Sequence, residues 1–241
     1  MNPFSLAWQA IRKNLLPGLV LQILMIALLV AWFINPPTRH VLEVIAQWKK
    51  NFGYLFSAAA AAAAAGVLPE ILRILFFQRG RFHRRNFSNL LFGIIYWACM
   101  GLMIDAFYRC QALFFGNASD VRTVIIKVCV DMILFTPLVA CPLAVVCYRW
   151  RDRNFDFSSF LDVGKAGFYR RAILPVLVAN WVVWIPVVCV IYAMPPALQV
   201  PFFVIAEIFW VLLLTTMSEL QLLREKADHL RHAAENNSRV L

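Results

Sequence analysis

Charged side chains stand inside runs that are otherwise apolar, and their spacing is helical. Glu70 precedes Arg73 by three residues, Asp105 precedes Arg109 by four, and Lys127 precedes Asp131 by four. Separations of three and four put two side chains on one helix face. Glu207 lies eight residues into an apolar run with no cation near it in sequence. A lone charge at mid-bilayer costs about 2.5–3.5 kcal/mol on insertion scales, so such groups turn toward a bundle interior or a wet cavity. Two chemistries fit. One is a polar path for a small solute. The other is a set of three intrahelical ion pairs that only hold helices together, since pairing also satisfies buried charge. Arg73, Arg109 and Lys127 have a third option, snorkelling to an interface. Tyr108, Asn180 and Trp184 complete the polar set expected in the interior, the last two on one face.

Catalytic and metal chemistry find little footing. His40, His83, His229 and His232 lie outside the apolar runs, and there is no Ser-His-Asp order, phosphate-binding loop or HExxH motif. His229 and His232 are three apart, with only the charges of their own tail around them. The six cysteines form no CxxC pair, so each is expected to be a small buried hydrophobe rather than a metal ligand or half of a disulfide. No enzyme activity, catalytic residue, metal or cofactor is expected.

The elements that position these residues follow from composition. Of 241 residues 62% are hydrophobic, the mean hydropathy is +0.70, and only 15% are charged. A soluble domain is about 45–50% apolar. The chain is therefore expected to be all-α, a polytopic transmembrane helix bundle. Six segments reach the roughly 20 apolar residues that a bilayer crossing needs: 15–35, 52–77, 89–109, 122–148, 172–194 and 199–222. Arg12 and Lys13 precede the first, but its apolar core is long and no small-x-small site follows it, so it is expected to stay as an uncleaved helix. Lys and Arg number sixteen in the alternate loops that include both termini, against five in the others. The positive-inside rule then puts both termini on the cytoplasmic side. The net charge of +10 is read as topology and contact with anionic lipid headgroups, not nucleic-acid binding.

Eight alanines at 58–65, followed by Gly66, give a helix that neighbouring backbones can approach closely. Pro69, Pro137, Pro142 and Pro186 are expected to kink their helices by removing backbone donors. The loop at 149–171 mixes bases with Phe155, Phe157, Phe160 and Phe168, as an interfacial segment would. The charged tail from 223 on reads as helical, either a solvated extension or a self-association helix that would leave a homo-oligomer open.

Several short stretches resemble the Mpv/Sym family of the 22-kilodalton peroxisomal membrane protein type. KVCVDMILFTP at 127–137 is similar to that family's K-x-x-x-D-Q-x-x-x-x-P signature, with Lys127, Asp131 and Pro137 kept, Met132 in place of the glutamine and the proline one residue late. GLMIDAFY at 101–108 resembles G-P-x-x-H-x-W-Y, keeping Gly101 and Tyr108 and placing Asp105 at the histidine. AGVLPEILRIL resembles the family's small-residue helix, with Pro69-Glu70 for its Gly-Asp. NWVVWIP at 180–186 resembles N-W-x-V-W-P. Pro196 and Trp210 fall near family positions, while Ile191-Tyr192 replaces an Asn-Phe pair and Val200 replaces a basic residue.

The likeness runs from Trp48 to Ser218 and divides the chain into 1–44, an additional N-terminal helix and loop; 45–222, the family-like bundle; and 223–241, the cytoplasmic tail. It implies a four-span protein of peroxisomal or mitochondrial inner membranes, concerned with organelle homeostasis or acting as a weakly selective metabolite pore. The departures at Met132 and Ile191 suit a bacterial cytoplasmic membrane as well. The function expected is thus a weakly selective channel or small-solute pore, against a non-conducting structural protein as the alternative.

Overall fold

A computed structural model describes residues 3–161 and 163–210, and among them every regular element is a helix. In chain order these are α1 (Pro3–Ile34), α2 (Pro36–Phe52), α3 (Tyr54–Leu75), α4 (Arg84–Phe115), α5 (Val121–Asp152), the single turn α6 (Ser158–Leu161), α7 (Tyr169–Ala193) and α8 (Pro196–Trp210). Four of them, α3, α4, α5 and α7, are long and apolar enough to cross a membrane, and a fifth crossing is formed if the bent pair α1–α2 counts as one. The second to fifth expected spans therefore stand as single helices. The first is one arm of a pair bent by 102°. The sixth, 199–222, is described only to Trp210, and the expected tail helix at 223–241 lies outside the described residues. Large apolar side chains such as Ile23, Phe33, Leu75, Ile95, Leu138 and Val176 face outward, as hydrocarbon allows.

The bend between α1 and α2 is chemically fixed. Asn35 caps α2, accepting from the Thr38 N–H at 3.1 Å, and Pro36 fits the first helical turn. Arg39 donates to the carbonyls of Trp32 and Phe33 at 3.0 and 2.9 Å, satisfying the open end of α1. The segment read as a loop after residue 35 is therefore a helix, which runs through the boundary expected at residue 44. The additional helix α1 is no loose appendage. It packs along α7, buries Leu21 and Met25 completely, and donates from Gln22 to the Val182 and Val183 carbonyls at 3.0 and 3.2 Å.

The alanine run packs α3 against α4 at backbone contact. Ala61, Ala62, Ala64 and Ala65 are buried. A methyl group on Gly66 would lie 2.7 Å from the Gly93 carbonyl, and one on Gly101 would collide with the Ser57 carbonyl and the Ala61 methyl. Since 57 meets 101 and 66 meets 93, the helices run antiparallel.

Prolines widen their helices. Of the four stretches with the i→i+5 π pattern among the described residues, three run into or contain a proline: Ala62–Val67 before Pro69, Val130–Ala140 containing Pro137 and preceding Pro142, and Tyr169–Ile173 before Pro175; the fourth, Arg73–Phe77, does not. A proline ring clashes with the carbonyl four residues back, and a π turn relieves that clash. Pro137 has no N–H for the Met132 carbonyl, and the Trp181 indole donates to it instead at 2.8 Å. Pro186 lies in ordinary α-helix, without such a bulge.

Between α4 and α5, Asp120 caps α5, accepting from the Thr123 hydroxyl and backbone N–H at 2.7 and 3.2 Å. Those bonds hold its carboxyl below the ordinary carboxylate range. Between α5 and α7, Trp150 gathers Phe155, Phe157 and Phe160 at 5.0–5.9 Å. The cysteines depart from expectation. Cys99, Cys110, Cys129 and Cys189 are exposed, Cys147 is half-buried, and only Cys141 is buried. A thiol is apolar enough to face lipid, so the bundle has no need to hide it.

Candidate functional site

The paired charges fall into two corners. At one, Asp105 of α4 is held by cations from two elements. Arg109, one turn on, donates from Nε to Oδ1 at 2.9 Å, as the spacing predicts. Oδ2 receives the Lys49 ammonium, carried in by α2, and the Ser57 hydroxyl of α3 at 2.7 Å. Lys49 also donates to the Gly53 carbonyl at 3.1 Å, where α2 ends. Arg109 rests over the Tyr54 ring at 4.5 Å. Asp105 and Lys49 are both buried, and three helices meet on one carboxylate. A cleft of about 260 Å³ opens beside them, with Lys50 and Gln199 on its wall.

At the other corner, Arg73 donates to Glu70 at 2.8 Å, again as the spacing predicts. Asn86 does two things there. Its amide N–H donates to Glu70, and its carbonyl oxygen accepts from the His83 N–H at 2.7 Å, closing the first turn of α4. Glu70 thus ties the end of α3 to the start of α4. A basic cleft of about 460 Å³ lies over this corner, lined by Arg73, His83, Arg85 and Arg151.

The third expected pair does not form. Lys127 and Asp131 are both buried, but Asp131 accepts from the Thr136 hydroxyl at 3.1 Å and the Tyr192 hydroxyl at 2.8 Å. Asp131 is satisfied by these two hydroxyls instead: from Asp131 on the helix is π, so its same-face neighbour ahead is Thr136, five residues on. Gln111 of α4 donates to the Tyr192 hydroxyl, and this Gln111–Tyr192–Asp131 relay joins α4, α7 and α5. Lys127 makes no hydrogen bond or ion pair among the described residues, and at 1% exposure it does not snorkel. Arg73 and Arg109 do reach outward, with side chains 35% and 49% exposed.

Asp131 lines a central cavity of about 180 Å³ between α4, α5, α7 and α8. Glu207, Asn180, Trp184 and Tyr108 line it too. Five of the nine expected interior residues therefore share one chamber. Glu70 and Arg73 belong to the corner at one end of α4, Asp105 to the corner toward the other end, and Lys127 lines none of these spaces. A single hydrated cavity holding Glu70, Asp105, Lys127 and Asp131 together is not what the structure shows.

The three spaces follow α4 in order. Asn86 borders the first, Met100 the second and Arg109 the third, a distance of about 35 Å at 1.5 Å per residue. Aromatic rings separate them. Tyr96 stacks on Phe92 at 5.7 Å, Tyr148 meets both edge-on at 5.4 Å, and Trp97 donates to the Tyr148 hydroxyl at 3.0 Å. Arg151 covers the Tyr148 ring at 4.5 Å. At the other end Tyr108, 5.2 Å from the Tyr192 ring, borders both the central cavity and the cleft beside Asp105.

Sequence reasoning did not single out Lys49, Ser57, Asn86, Tyr96, Gln111 or Tyr192. Apart from Tyr96, whose hydroxyl has no partner among the described residues, their partners lie 16 to 81 residues away, beyond the reach of local spacing. Only Lys49 carried a local signal. It points to the apolar side of an amphipathic helix, together with Leu42.

Among the described residues, no group of three His, Cys, Asp or Glu is placed to hold a metal ion. No family model, curated protein or solved structure matches the chain. The several long apolar helices define the class: they fit an integral membrane protein.

Proposed function

We propose that the chain is a multi-pass membrane protein that passes a small solute between its helices, and that the arrangement described is its closed state. The observation that carries this reading is the central chamber. It contains two carboxyl groups with no cation partner among the described residues, and it lies in line with a polar cleft beyond each of its aromatic ends. The 35 Å length of this series matches a bilayer's hydrocarbon core of about 30 Å. Six crossings, with both termini on the cytoplasmic side, are the reading that the apolar run at 199–222 and the distribution of basic loops in the sequence support. The resemblance to Mpv/Sym motifs is consistent with a weakly selective pore. A bacterial cytoplasmic membrane is the favoured location, with a mitochondrial inner or peroxisomal membrane as the alternative.

Reconstitution tests the proposal. Proteoliposomes challenged with small neutral and charged solutes should swell or take up label faster than empty liposomes. Tyr108→Ala, which thins the ring shared by two spaces, should raise the rate. No solute faster than in empty liposomes, together with a silent planar bilayer, would refute it.

One observation favours the non-conducting alternative for part of the molecule. Glu70 and Asp105 are fully partnered and join helices, as structural charges do. That role is assigned here to those two residues and not to the chamber.

A further inference from the structure

The central cavity contains an incomplete set of charges. Glu207 is 3% exposed and makes no hydrogen bond or ion pair among the described residues, and its Oε2 is wholly buried. The Tyr96 hydroxyl beside it is likewise buried without a partner. Asp131 is held on the same cavity by the Tyr192 and Thr136 hydroxyls, which orient a carboxylate without neutralising it. Among the described residues, no Lys, Arg or His lines the cavity. A buried polar group without a partner is costly, and two carboxyl groups in one apolar chamber stay ionised only with a cation beside them. Elsewhere the same bundle supplies cations generously: Asp105 has two and Glu70 has one. Lys127, the buried cation without a partner among the described residues, does not line this chamber, so the two carboxyl groups here stay without a counter-charge.

The walls indicate what would complete it. Trp97, Trp184, Trp210, Tyr108, Phe135 and Phe203 surround the two carboxylates. Aromatic faces attract cations, and they suit cations that carry methyl groups in place of a tight water shell. A bare metal ion prefers a close set of several oxygen, nitrogen or sulfur ligands, and no such group is present among the described residues. The volume of about 180 Å³ also exceeds the roughly 30 Å³ share of one water.

We infer that the central cavity is a binding site for a small alkylammonium cation, held between Asp131 and Glu207 and wrapped by the tryptophan and tyrosine rings. This inference names the solute class for the chamber on which the proposed function rests. Binding does not require passage, so the two can fail separately. Binding without flux would sink the conduit and leave the site. Flux of other solutes without ammonium binding would do the reverse.

The test uses the full chain in detergent, with tetramethylammonium chloride as the probe and tert-butanol as its neutral isostere. Three cavity walls are tryptophans, so intrinsic fluorescence reports occupancy. Tetramethylammonium should change the emission saturably, sodium chloride at equal ionic strength should not, and tert-butanol should neither change it nor compete. Glu207→Gln, isosteric and uncharged, should weaken binding at least about tenfold, with the variant's fold checked by gel filtration and circular dichroism. If that variant does not fold, Asp131→Asn takes its place, and the discrimination between ammonium and alcohol in the natural chain decides the matter alone. Equal responses to both probes, no saturable response, or undiminished binding in a folded Glu207→Gln protein would overturn the inference.

Discussion

Asp105 and the Asp131–Glu207 pair are equally buried in the same bundle, yet their surroundings are opposite. Asp105 sits among Lys49, Arg109 and Ser57, every oxygen matched by a donor and its charge outnumbered by cations. Asp131 receives two neutral hydroxyls, and Glu207 receives nothing among the described residues. Membrane burial penalises both kinds of site. The first has met the penalty within the fold, so its charges can be read as structure. The second has not among the described residues, so its carboxyl groups can be read as a demand for a further partner. Depth alone does not mark a functional carboxylate; the partner set does.

Substitutions should separate the two regions. The largest effect belongs to Asp105→Ala, which strands the buried Lys49 ammonium. A broken buried pair costs about 3–5 kcal/mol, and a fall of that size should appear in denaturant unfolding in mild detergent. Lys49→Met should cost less, about 1–3 kcal/mol, because Arg109 and Ser57 still serve the carboxylate. Arg109→Ala should cost only about 0.2–1 kcal/mol, since its side chain is 49% exposed. Glu207→Gln should leave unfolding nearly unchanged, because no bond among the described residues is lost and the side chain keeps its shape. If Glu207→Gln proved as damaging as Asp105→Ala, the contrast between the regions would disappear.

The sequence announced part of this arrangement. Glu70–Arg73 and Asp105–Arg109 are legible because both lie on regular helix, where three and four residues make one face. Lys127–Asp131 misled because Asp131 stands at the start of a π stretch and is taken by the hydroxyls of Thr136, five residues on, and Tyr192 of α7. The alanine run pointed to close helix contact, and Gly66 against Gly93 provides it. Lys49 was hidden because the bases between two apolar runs look like an exposed loop, whereas Asn35 caps a helix there. The chamber itself was half legible. Its carboxylates stood out against apolar runs, but Tyr192 and Gln111 reach Asp131 from 61 and, through Tyr192, 81 residues of separation. No local pattern encodes such a relay. The outward cysteines were misjudged by a habit of soluble proteins, in which an exposed thiol meets water.

One measurement bears most directly on the division between the two regions. Unfolding midpoints of the natural chain, Asp105→Asn and Glu207→Gln would be compared in tetramethylammonium chloride and in sodium chloride at the same ionic strength. The account predicts a low starting midpoint for Asp105→Asn with the ammonium-induced rise retained, and a normal starting midpoint for Glu207→Gln with the rise abolished. A Glu207→Gln protein that is destabilised in both salts yet still responds to tetramethylammonium would contradict it.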